Sequence, residues 1–456
     1  MRTLAGLALA TALAGCALQE RPAPEATQVV PPADWRSPTG ASEALTADWW
    51  NRYGDPQLTA LVERAIAHNT DIAVAAARVR QALAQERAAR AQLLPSVSAG
   101  PAVSDERSID AFGQPRTTLA AEPTIQASWQ VDLFGRTADL AGAARQRYLA
   151  SQAAHDAAVL SVAAATARGY IALRGYDARL AVTQDTLASR SEALRIARSR
   201  ADAGYTSRLE LNQAEAEYQA AAALVPQLRR AIAQQENALS QLAGDVPGAI
   251  ARAAELTALS VPPVPAGLPS ELLRRRPDIA QAEYQLSASD RSLSAARKAF
   301  LPNLQLTGST GLLFTKGLDP TVLFSLGGSI LAPLFSGGRL TAQLDEAASV
   351  RDQAAFAYRG TALTAFREVD DALAALATLQ DQERALTAQR DALREALGHA
   401  IRRYQAGYTT YLEQLDAQRG LLSAELALAQ ARADLLQASV TLYAAMGGGW
   451  TMPPTP

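Results

Sequence analysis

Few side chains in this 456-residue chain are spaced to do chemistry. The three histidines, His68, His155 and His399, have no partner at metal-ligand spacing. The paired glycines at 327–328 and 337–338 are not followed by the lysine that a phosphate-binding loop requires. We therefore predict no enzyme, no catalytic residues, no metal site and no cofactor. The one specific chemical signal lies at the only cysteine of the chain.

Cys16 ends a segment that has the order of a secretory signal peptide, residues 1–15. Arg2 precedes an apolar run that closes in the phrase LAGC. This phrase matches the bacterial lipobox, in which the cysteine receives a diacylglycerol and becomes the mature N-terminus. A plain signal peptide with an incidental cysteine is the alternative. Ala17 stands where an aspartate would indicate inner-membrane retention, so we predict an outer-membrane lipoprotein anchored by several acyl chains.

Composition favours long, closely packed helices over a bulky globular core. Aromatic residues make up only 5% of the chain, and the formal net charge of −2 implies no nucleic-acid partner. No segment after the signal peptide reads as 18 consecutive apolar residues, so we predict no transmembrane helix. Any part of the chain that spans a bilayer must then be made of strands.

The chain contains nearly the same nonapeptide twice. The phrases AGYTSRLEL and AGYTTYLEQ begin at residues 203 and 406. In each, a glycine can end one helix in the left-handed conformation, and the patterns Ser207-x-x-Glu210 and Thr410-x-x-Glu413 predict capping boxes that start the next. We therefore predict a duplicated helical hairpin, with long antiparallel helices over 136–244 and 339–447.

Apolar residues recur every seven positions along both predicted hairpins, which is coiled-coil spacing, although an ordinary bundle core is the alternative. Leu379 follows Leu180 by 199 residues, whereas Gly407 follows Gly204 by 203, so we predict a four-residue stutter between 394 and 405. The stripes are Leu173, Leu180, Leu187 and Leu194; Leu211, Tyr218, Val225, Ile232 and Leu239; Leu379, Leu386 and Leu393; and Leu421, Leu428, Leu435 and Leu442, the last accompanied by Ala417, Ala424, Ala431, Ala438 and Ala445.

Two segments of strand-like alternation precede the long hairpins. Residues 124–133 alternate cleanly, residues 95–104 alternate more weakly, and a polar loop is predicted over 105–115. Strands about 302–334 repeat the plan after a helix over 270–301. Four membrane-suited strands cannot close a barrel, because the smallest closed barrels need about eight. Several copies must share one barrel, and two, three or four copies would give about 8, 12 or 16 strands. A soluble helical bundle with two small sheets is the alternative.

Several motifs resemble those of a known family over roughly residues 45–450. The chain resembles the outer membrane factors, the TolC-like channels, and specifically their lipoprotein OprM/NodT-like branch. The motifs that carry the resemblance are Asp48-Trp49-Trp50, Asp55-Pro56-x-Leu58, Asn69, Leu94-Pro95, Leu272 to Ile279 (LLRRRPDI) with Ala282-Glu283, Phe300-Leu301-Pro302, Phe335-x-Gly337-Gly338-Arg339, and Tyr411 to Arg419 (YLEQLDAQR).

The resemblance implies an α+β membrane protein with internal structural duplication. Long antiparallel coiled-coil hairpins would form an α-barrel tunnel, and four transmembrane strands per chain would form a shared trimeric 12-stranded β-barrel. The implied function is passive export of drugs or other small molecules across the outer membrane. The implied partners are two further copies of the chain, outer membrane lipids, a periplasmic adaptor and an inner-membrane pump of the resistance–nodulation–division (RND) type. A duct for type I protein secretion and a trimeric lipid-anchored coiled-coil surface protein are the alternatives.

The resemblance also assigns roles at the hairpin turns. A periplasmic gate would use Leu412, Asp416 and Arg419, with Arg419 or Tyr404 holding the Asp416 carboxylate. Asp416 could instead only satisfy the helix dipole, and Arg419 could be a solvated charge. The expected adaptor contacts are Gly204, Tyr205, Thr206, Ser207, Gly407, Tyr408, Thr409 and Thr410.

These expectations divide the chain into a signal peptide and two repeats. A lipidated tether, 16–47, follows the signal peptide, and a proline-rich connector, 249–269, separates the repeats. The repeats are 48–248, with strands about 95–133 and the hairpin 136–244, and 270–450, with strands about 302–334 and the hairpin 339–447. A short tail, 451–456, ends the chain.

Overall fold

The structure of the protein, a computed structural model, describes residues 22–37, 45–253, 255–264, 267–315 and 319–452. The predicted signal peptide and Cys16 lie outside these residues. The described residues form two compact units by their contacts. Residues 22–29, 77–152 and 281–360 belong to the first unit, and residues 30–37, 45–76, 153–280 and 361–452, with the gaps given above, belong to the second.

Helices occur in two matched sets, one in each half of the chain. The 67-residue helices α3 and α7, the 35-residue helices α4 and α8, and the 22-residue helices α2 and α6 form equal-length pairs. The first set is α1 (Pro56–His68), α2 (Thr70–Ala91), α3 (Arg136–Asp202) and α4 (Arg208–Leu242); the second is α5 (Pro269–Arg275), α6 (Pro277–Lys298), α7 (Arg339–Gln405) and α8 (Tyr411–Ala445).

The equal lengths correct the predicted insertion. Helix α7 begins 203 residues after α3, at 339 against 136, and ends 203 residues after it, at 405 against 202. The second long helix has therefore not gained four residues. Its leucine stripe is displaced by about one helical turn within a helix of the same length, because a turn holds 3.6 residues.

The start of the first repeat depends on two side-chain caps. The Asp55 carboxylate accepts hydrogen bonds from the backbone N–H groups of Gln57 (2.8 Å) and Leu58 (3.4 Å), and Pro56 occupies the first turn of α1. Asn69 then separates α1 from α2, and its Oδ1 accepts from the N–H of Asp71 at 2.8 Å. Asn69 is thus the single residue between the two helices, and it caps the second of them.

Helix formation breaks at Arg276, where the sequence predicted one continuous helix over 270–301. Pro277 has no N–H, and the residue before a proline is pushed into extended backbone; Arg276 has φ −114° and ψ 126°. The Arg276 side chain is buried and donates to the Asp278 carboxylate and to the carbonyl of Ala445, and it forms an ion pair with Glu368.

The four strands form one antiparallel sheet in chain order: β1 (Ser96–Ile109), β2 (Pro115–Val131), β3 (Asn303–Thr315) and β4 (Thr321–Leu331). The polar loop predicted over 105–115 is wrong for 105–109, which pair with 115–119. Charged side chains are tolerated there because those positions of the strand are exposed. Only residues 110–114 turn, and the Asp110 carboxylate accepts from the N–H groups of Phe112 and Gln114.

The main core lies in the second unit. Trp49, Tyr53, Tyr170 and Tyr443 are its largest buried side chains, and the hydroxyl of Tyr170 donates to Asp55 at 2.7 Å. The first unit contains the sheet and a smaller core around Leu293. Small residues dominate the long helices, as composition predicted. One 18-residue window of α3 reaches a mean hydropathy of 1.2, which is apolar enough for a membrane span by composition alone, and 44% of that window is buried. The window is not a run of 18 consecutive apolar residues, so the prediction that the chain contains no such run stands; an alanine-rich core helix meets the composition criterion without crossing a membrane.

Gly447→Ala is expected to lower the free energy of unfolding by about 3–6 kcal/mol. A Cβ at Gly447 would lie 1.8 Å from the carbonyl oxygen of Arg275, and the residue has a φ of +93°. Gly360→Ala is the control, because Gly360 is an exposed position within α7 with nothing within 4 Å of its Cβ position. It should be neutral or stabilising by roughly 0.5–1 kcal/mol. Denaturant unfolding of the purified protein checks both, and equal stability of the two variants would contradict the close approach.

Candidate functional site at the hairpin turns

The two hairpin turns have the same backbone geometry. Gly204 and Gly407 lie in the left-handed region, with φ of +73° and +77°. The N–H of Tyr205 donates to the carbonyl of Arg200 at 2.8 Å, and the N–H of Tyr408 donates to that of Arg403 at 2.9 Å. Both turns therefore end their helices as the repeated nonapeptide predicted.

The predicted capping boxes are only half confirmed. The Ser207 hydroxyl accepts from the N–H of Glu210 at 3.3 Å, as predicted. The Thr410 hydroxyl makes no capping bond, because the N–H of Glu413 is satisfied by the Thr410 carbonyl at 3.3 Å. Instead, the preceding threonine of each turn donates to the glutamate: Thr206 to Glu210 and Thr409 to Glu413.

The turns present large side chains outward. Tyr205 and Tyr408 are 85% and 80% exposed, and Leu209 is 66% exposed. The two nonapeptides share most of their residues, but the exposed Arg208 of the first is matched by the buried Tyr411 of the second. The turns therefore offer two related but unequal surfaces per chain.

Tyr404, at the end of α7, joins the second hairpin to the first. Its hydroxyl lies 3.5 Å from a carboxylate oxygen of Glu210 and 3.4 Å from a guanidinium nitrogen of Arg200. Its ring packs 5.6 Å from that of Tyr411, which is buried in a small cluster with Leu415. The sequence analysis proposed Tyr404 as a partner of the Asp416 carboxylate. In the structure, the Tyr404 hydroxyl instead lies beside Glu210 and Arg200, at the turn of the first hairpin.

Glu217, on α4 beyond the first hairpin turn, binds two guanidinium groups. Arg190 on α3 pairs with its Oε2 at 2.9 Å and donates to its backbone carbonyl at 2.8 Å. Arg419 on α8 donates to its Oε1 through Nε at 2.7 Å and through a terminal nitrogen at 2.6 Å. One carboxylate therefore holds helices of both hairpins together.

The electrostatics of this cluster are set by burial. The side chains of Arg190 and Glu217 are only 5% and 9% exposed. Burial lowers the pKa of the Arg190 guanidinium, while Glu217 acts in the opposite direction. The hydrogen bond to Glu217 raises the pKa of Arg419, whose side chain is half-exposed. Removal of the Glu217 carboxylate would leave a buried positive charge without its counter-ion.

The predicted gate residues lie beside this cluster. Asp416 is exposed and lies 3.7 Å from Arg419, so the structure brings these two together as a weak contact one helical turn apart. Leu412 is 49% exposed, one turn earlier on α8. Arg419 makes its short contacts with Glu217 and not with Asp416. The surface-charge interpretation of Arg419 therefore misses its role as a link between the hairpins.

Sequence reasoning missed Arg190 and Glu217, although a signal was present. Arg190 lies three residues after Leu187 and four before Leu194, on the seam that the leucines define. Glu217 lies on the line of buried residues that contains Ala214 and Ala221, whereas Tyr218 of the predicted stripe is only half-buried. A charge on each seam, on partner helices of one hairpin, is the pattern of a buried ion pair.

Comparisons with known proteins are consistent with the internal duplication of the chain. Residues 61–245 and 268–448 match the model of the family described as outer membrane efflux protein, and each match spans one of the two copies. The chain belongs to the outer membrane efflux protein family. Its location is thus the outer membrane, and its role is that of the outer membrane channel of an efflux system.

Individual relatives of this efflux protein are similar along nearly their whole length. The antibiotic efflux pump outer membrane protein ArpC of Pseudomonas putida is 36% identical, over 96% of this chain and 93% of ArpC. The toluene efflux pump outer membrane protein TtgC, also of Pseudomonas putida, is 36% identical over 96% of this chain and 93% of TtgC. The solved structure of the outer-membrane channel OprN matches with a TM-score of 0.88 at 28% identity, covering 95% of this chain and 99% of OprN.

Proposed function

We propose that three copies of this efflux protein form one closed channel. The observation that carries the proposal is the sheet: its four strands run β1 to β4 in order, so the outer sides of β1 and β4 pair with nothing in the described chain. Unpaired strand edges are costly in lipid, and three copies would supply about 12 strands, enough to close a barrel. The long hairpins would form the periplasmic tunnel below it.

Exposed apolar side chains on the strands support the membrane assignment. Every residue of β4 is exposed, including Phe324 at 83% and Leu326 at 89%. Such a surface is unfavourable in water and suits contact with lipid or with a neighbouring copy. The length of β4, 11 residues, suits a tilted strand that crosses a hydrocarbon layer.

The hairpin turns are the proposed contact with a periplasmic adaptor, which would join the channel to an RND-type inner-membrane pump. Tyr205 and Tyr408 are the exposed aromatic side chains that such a contact would bury. Three copies would present six turns, two from each chain. Leu412, Asp416 and Arg419 of the three copies would narrow the tunnel near this end and form the proposed gate.

The proposed cargo is a range of drugs or other small molecules, which would pass through the channel passively while the pump supplies the energy. ArpC and TtgC are named for antibiotic and toluene efflux, and their similarity over nearly the whole chain supports this cargo class. Cys16 would carry the lipid anchor after removal of residues 1–15, residues 16–47 would be the tether, and the repeats 48–248 and 270–450 would each supply one hairpin and two strands.

Deletion of the gene is expected to raise sensitivity to several chemically unrelated toxic compounds severalfold, because export across the outer membrane would be lost while uptake continues. Growth inhibition by a panel of antibiotics and solvents measures this, with the wild-type gene restored on a plasmid as the control. Unchanged sensitivity together with loss of one secreted polypeptide would instead identify the chain as a protein-secretion duct.

A further inference from the structure

All four crossings between the sheet and the long helices lie at one edge of the sheet. Ser96, where β1 begins, pairs with Ser128 near the end of β2. Asn303, where β3 begins, pairs with Leu331, where β4 ends, and the end of β2 pairs with the start of β3. The end of α2, the start of α3, the end of α6 and the start of α7 therefore all adjoin this edge, which we call the helix edge.

The two faces of the sheet differ in polarity. On one face serines meet across neighbouring strands: the hydroxyls of Ser96 and Ser128 lie 3.0 Å apart, and those of Ser309 and Ser325 lie 2.9 Å apart. With the sheet in the outer membrane, as proposed above, the opposite face is the one that meets lipid. It carries exposed apolar side chains: Val97, Val103, Ile125, Val322, Phe324, Leu326 and Ile330.

Basic residues outnumber acidic ones where the chain crosses the helix edge. The nine residues beyond each strand end, 87–95, 132–140, 294–302 and 332–340, contain six basic and two acidic side chains. The β1–β2 turn at the far edge, residues 105–116, contains three acidic and two basic ones. The six basic residues are Lys298 and five arginines, which we call the arginine collar: Arg87, Arg90, Arg136, Arg297 and Arg339.

The two acids at the helix edge are already engaged within the chain. The Asp132 carboxylate accepts from the N–H groups of Thr137 and Ala138, at the start of α3. Asp139 forms an ion pair with Lys298 at 2.6 Å. Neither carboxylate is therefore left to neutralise the arginine collar, which keeps a net positive charge.

The two collar arginines on α2 are exposed on the side that meets lipid. Arg87 is exposed and forms no ion pair among the described residues, and the Arg90 side chain is 69% exposed with only a 3.7 Å contact to Glu86. The indole of Trp129, on the apolar face of the sheet, donates to the carbonyl of Leu93 at 3.0 Å. The chain that follows α2 therefore passes on the apolar side of the sheet.

We propose that the arginine collar binds the anionic headgroups of phospholipids in the periplasmic leaflet of the outer membrane. Arginine recognises phosphate oxygens through two parallel hydrogen bonds, and each arginine held near an anionic membrane surface strengthens binding about fivefold. The apolar face beside the collar would contact the acyl chains of the same lipids. The inference rests on the proposed function, because it requires the sheet to lie in the outer membrane with the helices in the periplasm.

Native mass spectrometry of the full-length protein in detergent tests the proposal. The protein is titrated with phosphatidylglycerol and, separately, with phosphatidylcholine that has the same acyl chains. We expect phosphatidylglycerol to bind at least about tenfold more tightly, and Arg87→Gln/Arg90→Gln to reduce this preference at least about fivefold. Arg87→Lys/Arg90→Lys retains the charge and should retain most of the preference. Arg78→Gln/Arg80→Gln is the control, because these exposed arginines of α2 lie more than about 10 Å farther along the helix from the edge.

The outcomes separate this proposal from that of the channel. Equal affinity for the two lipids, in a trimer that conducts in a bilayer of phosphatidylcholine alone, would overturn the collar proposal and leave the channel proposal standing. An equal loss of preference in the Arg78/Arg80 variant would overturn it too, since overall charge would then explain the effect. So would loss of the trimer in the Arg87/Arg90 glutamine variant with an unchanged lipid preference, which would assign these arginines to a contact between copies. A single subunit that passes no ions would overturn both proposals.

Discussion

Glu217→Ala is expected to destabilise the turn end of the hairpins by about 3–5 kcal/mol and to raise the conductance of the channel in planar bilayers several-fold. The substitution removes the carboxylate that pairs with Arg190 at 2.9 Å and with Arg419 at 2.6 Å. Arg190 would remain buried with its charge uncompensated. The hairpins would lose the ion pair that links α8 to α4, so the proposed gate would be held less firmly in one arrangement.

Glu215→Ala is the matched control for this prediction. Glu215 lies two residues earlier on the same helix and pairs with Arg198 at 3.0 Å, but both side chains are well exposed, at 39% and 60%. An exposed ion pair contributes about 0–1 kcal/mol, so this variant should unfold and conduct almost as the wild type does. Equal effects of the two variants on thermal unfolding and conductance would show that burial of Glu217 is not what matters.

The double variant Asp416→Ala/Arg419→Ala is expected to leak ions under conditions in which the wild-type channel conducts weakly. In a trimer, three Asp416 carboxylates around one axis would form a ring that repels anions. Within each chain, the Arg419 guanidinium lies 3.7 Å from the Asp416 carboxylate. The same substitution of Arg419 also removes its hydrogen bonds to Glu217. Both the charge ring and the link between hairpins are lost together, which is why the double variant should exceed either single one.

Gln213→Ala provides the control for the double variant. Gln213 stands 203 residues before Asp416 and occupies the equivalent position in the first hairpin, where the acid is missing. Its replacement should leave single-channel conductance at the wild-type value. Wild-type conductance in the double variant would remove the gate assignment from Asp416 and Arg419.

Sequence periodicity predicted the long helices well because their signals are repeated. The glycine that ends each long helix occurs twice, 203 residues apart, and both adopt the left-handed conformation. The strand pattern at 124–133 was also clear, because apolar and polar residues alternate along a strand whose two faces have different surroundings. Prediction failed where one local rule competes with another: Pro277 broke a helix that hydrophobic spacing would have continued, and charged residues at 105–109 concealed the outer part of β1.

The candidate site was less accessible to prediction because its key contacts join distant parts of the chain. Asp416 and Arg419 are one turn apart, so their contact follows from helical spacing. Glu217 is 202 residues from Arg419, and the two residues meet only because the two copies of the hairpin pack side by side. The capping rule likewise predicted that the Thr410 hydroxyl accepts from the N–H of Glu413. In the structure the Thr410 backbone carbonyl accepts from it instead, because several groups near a helix start compete for the same N–H.

The most direct test of the channel proposal is the subunit count of the purified protein in detergent, measured together with its single-channel conductance. Native mass spectrometry should give three copies of the mature chain, and the same preparation should pass ions across a planar bilayer. A single subunit, or a trimer that passes no ions, would contradict the proposal that three open sheets close into one barrel.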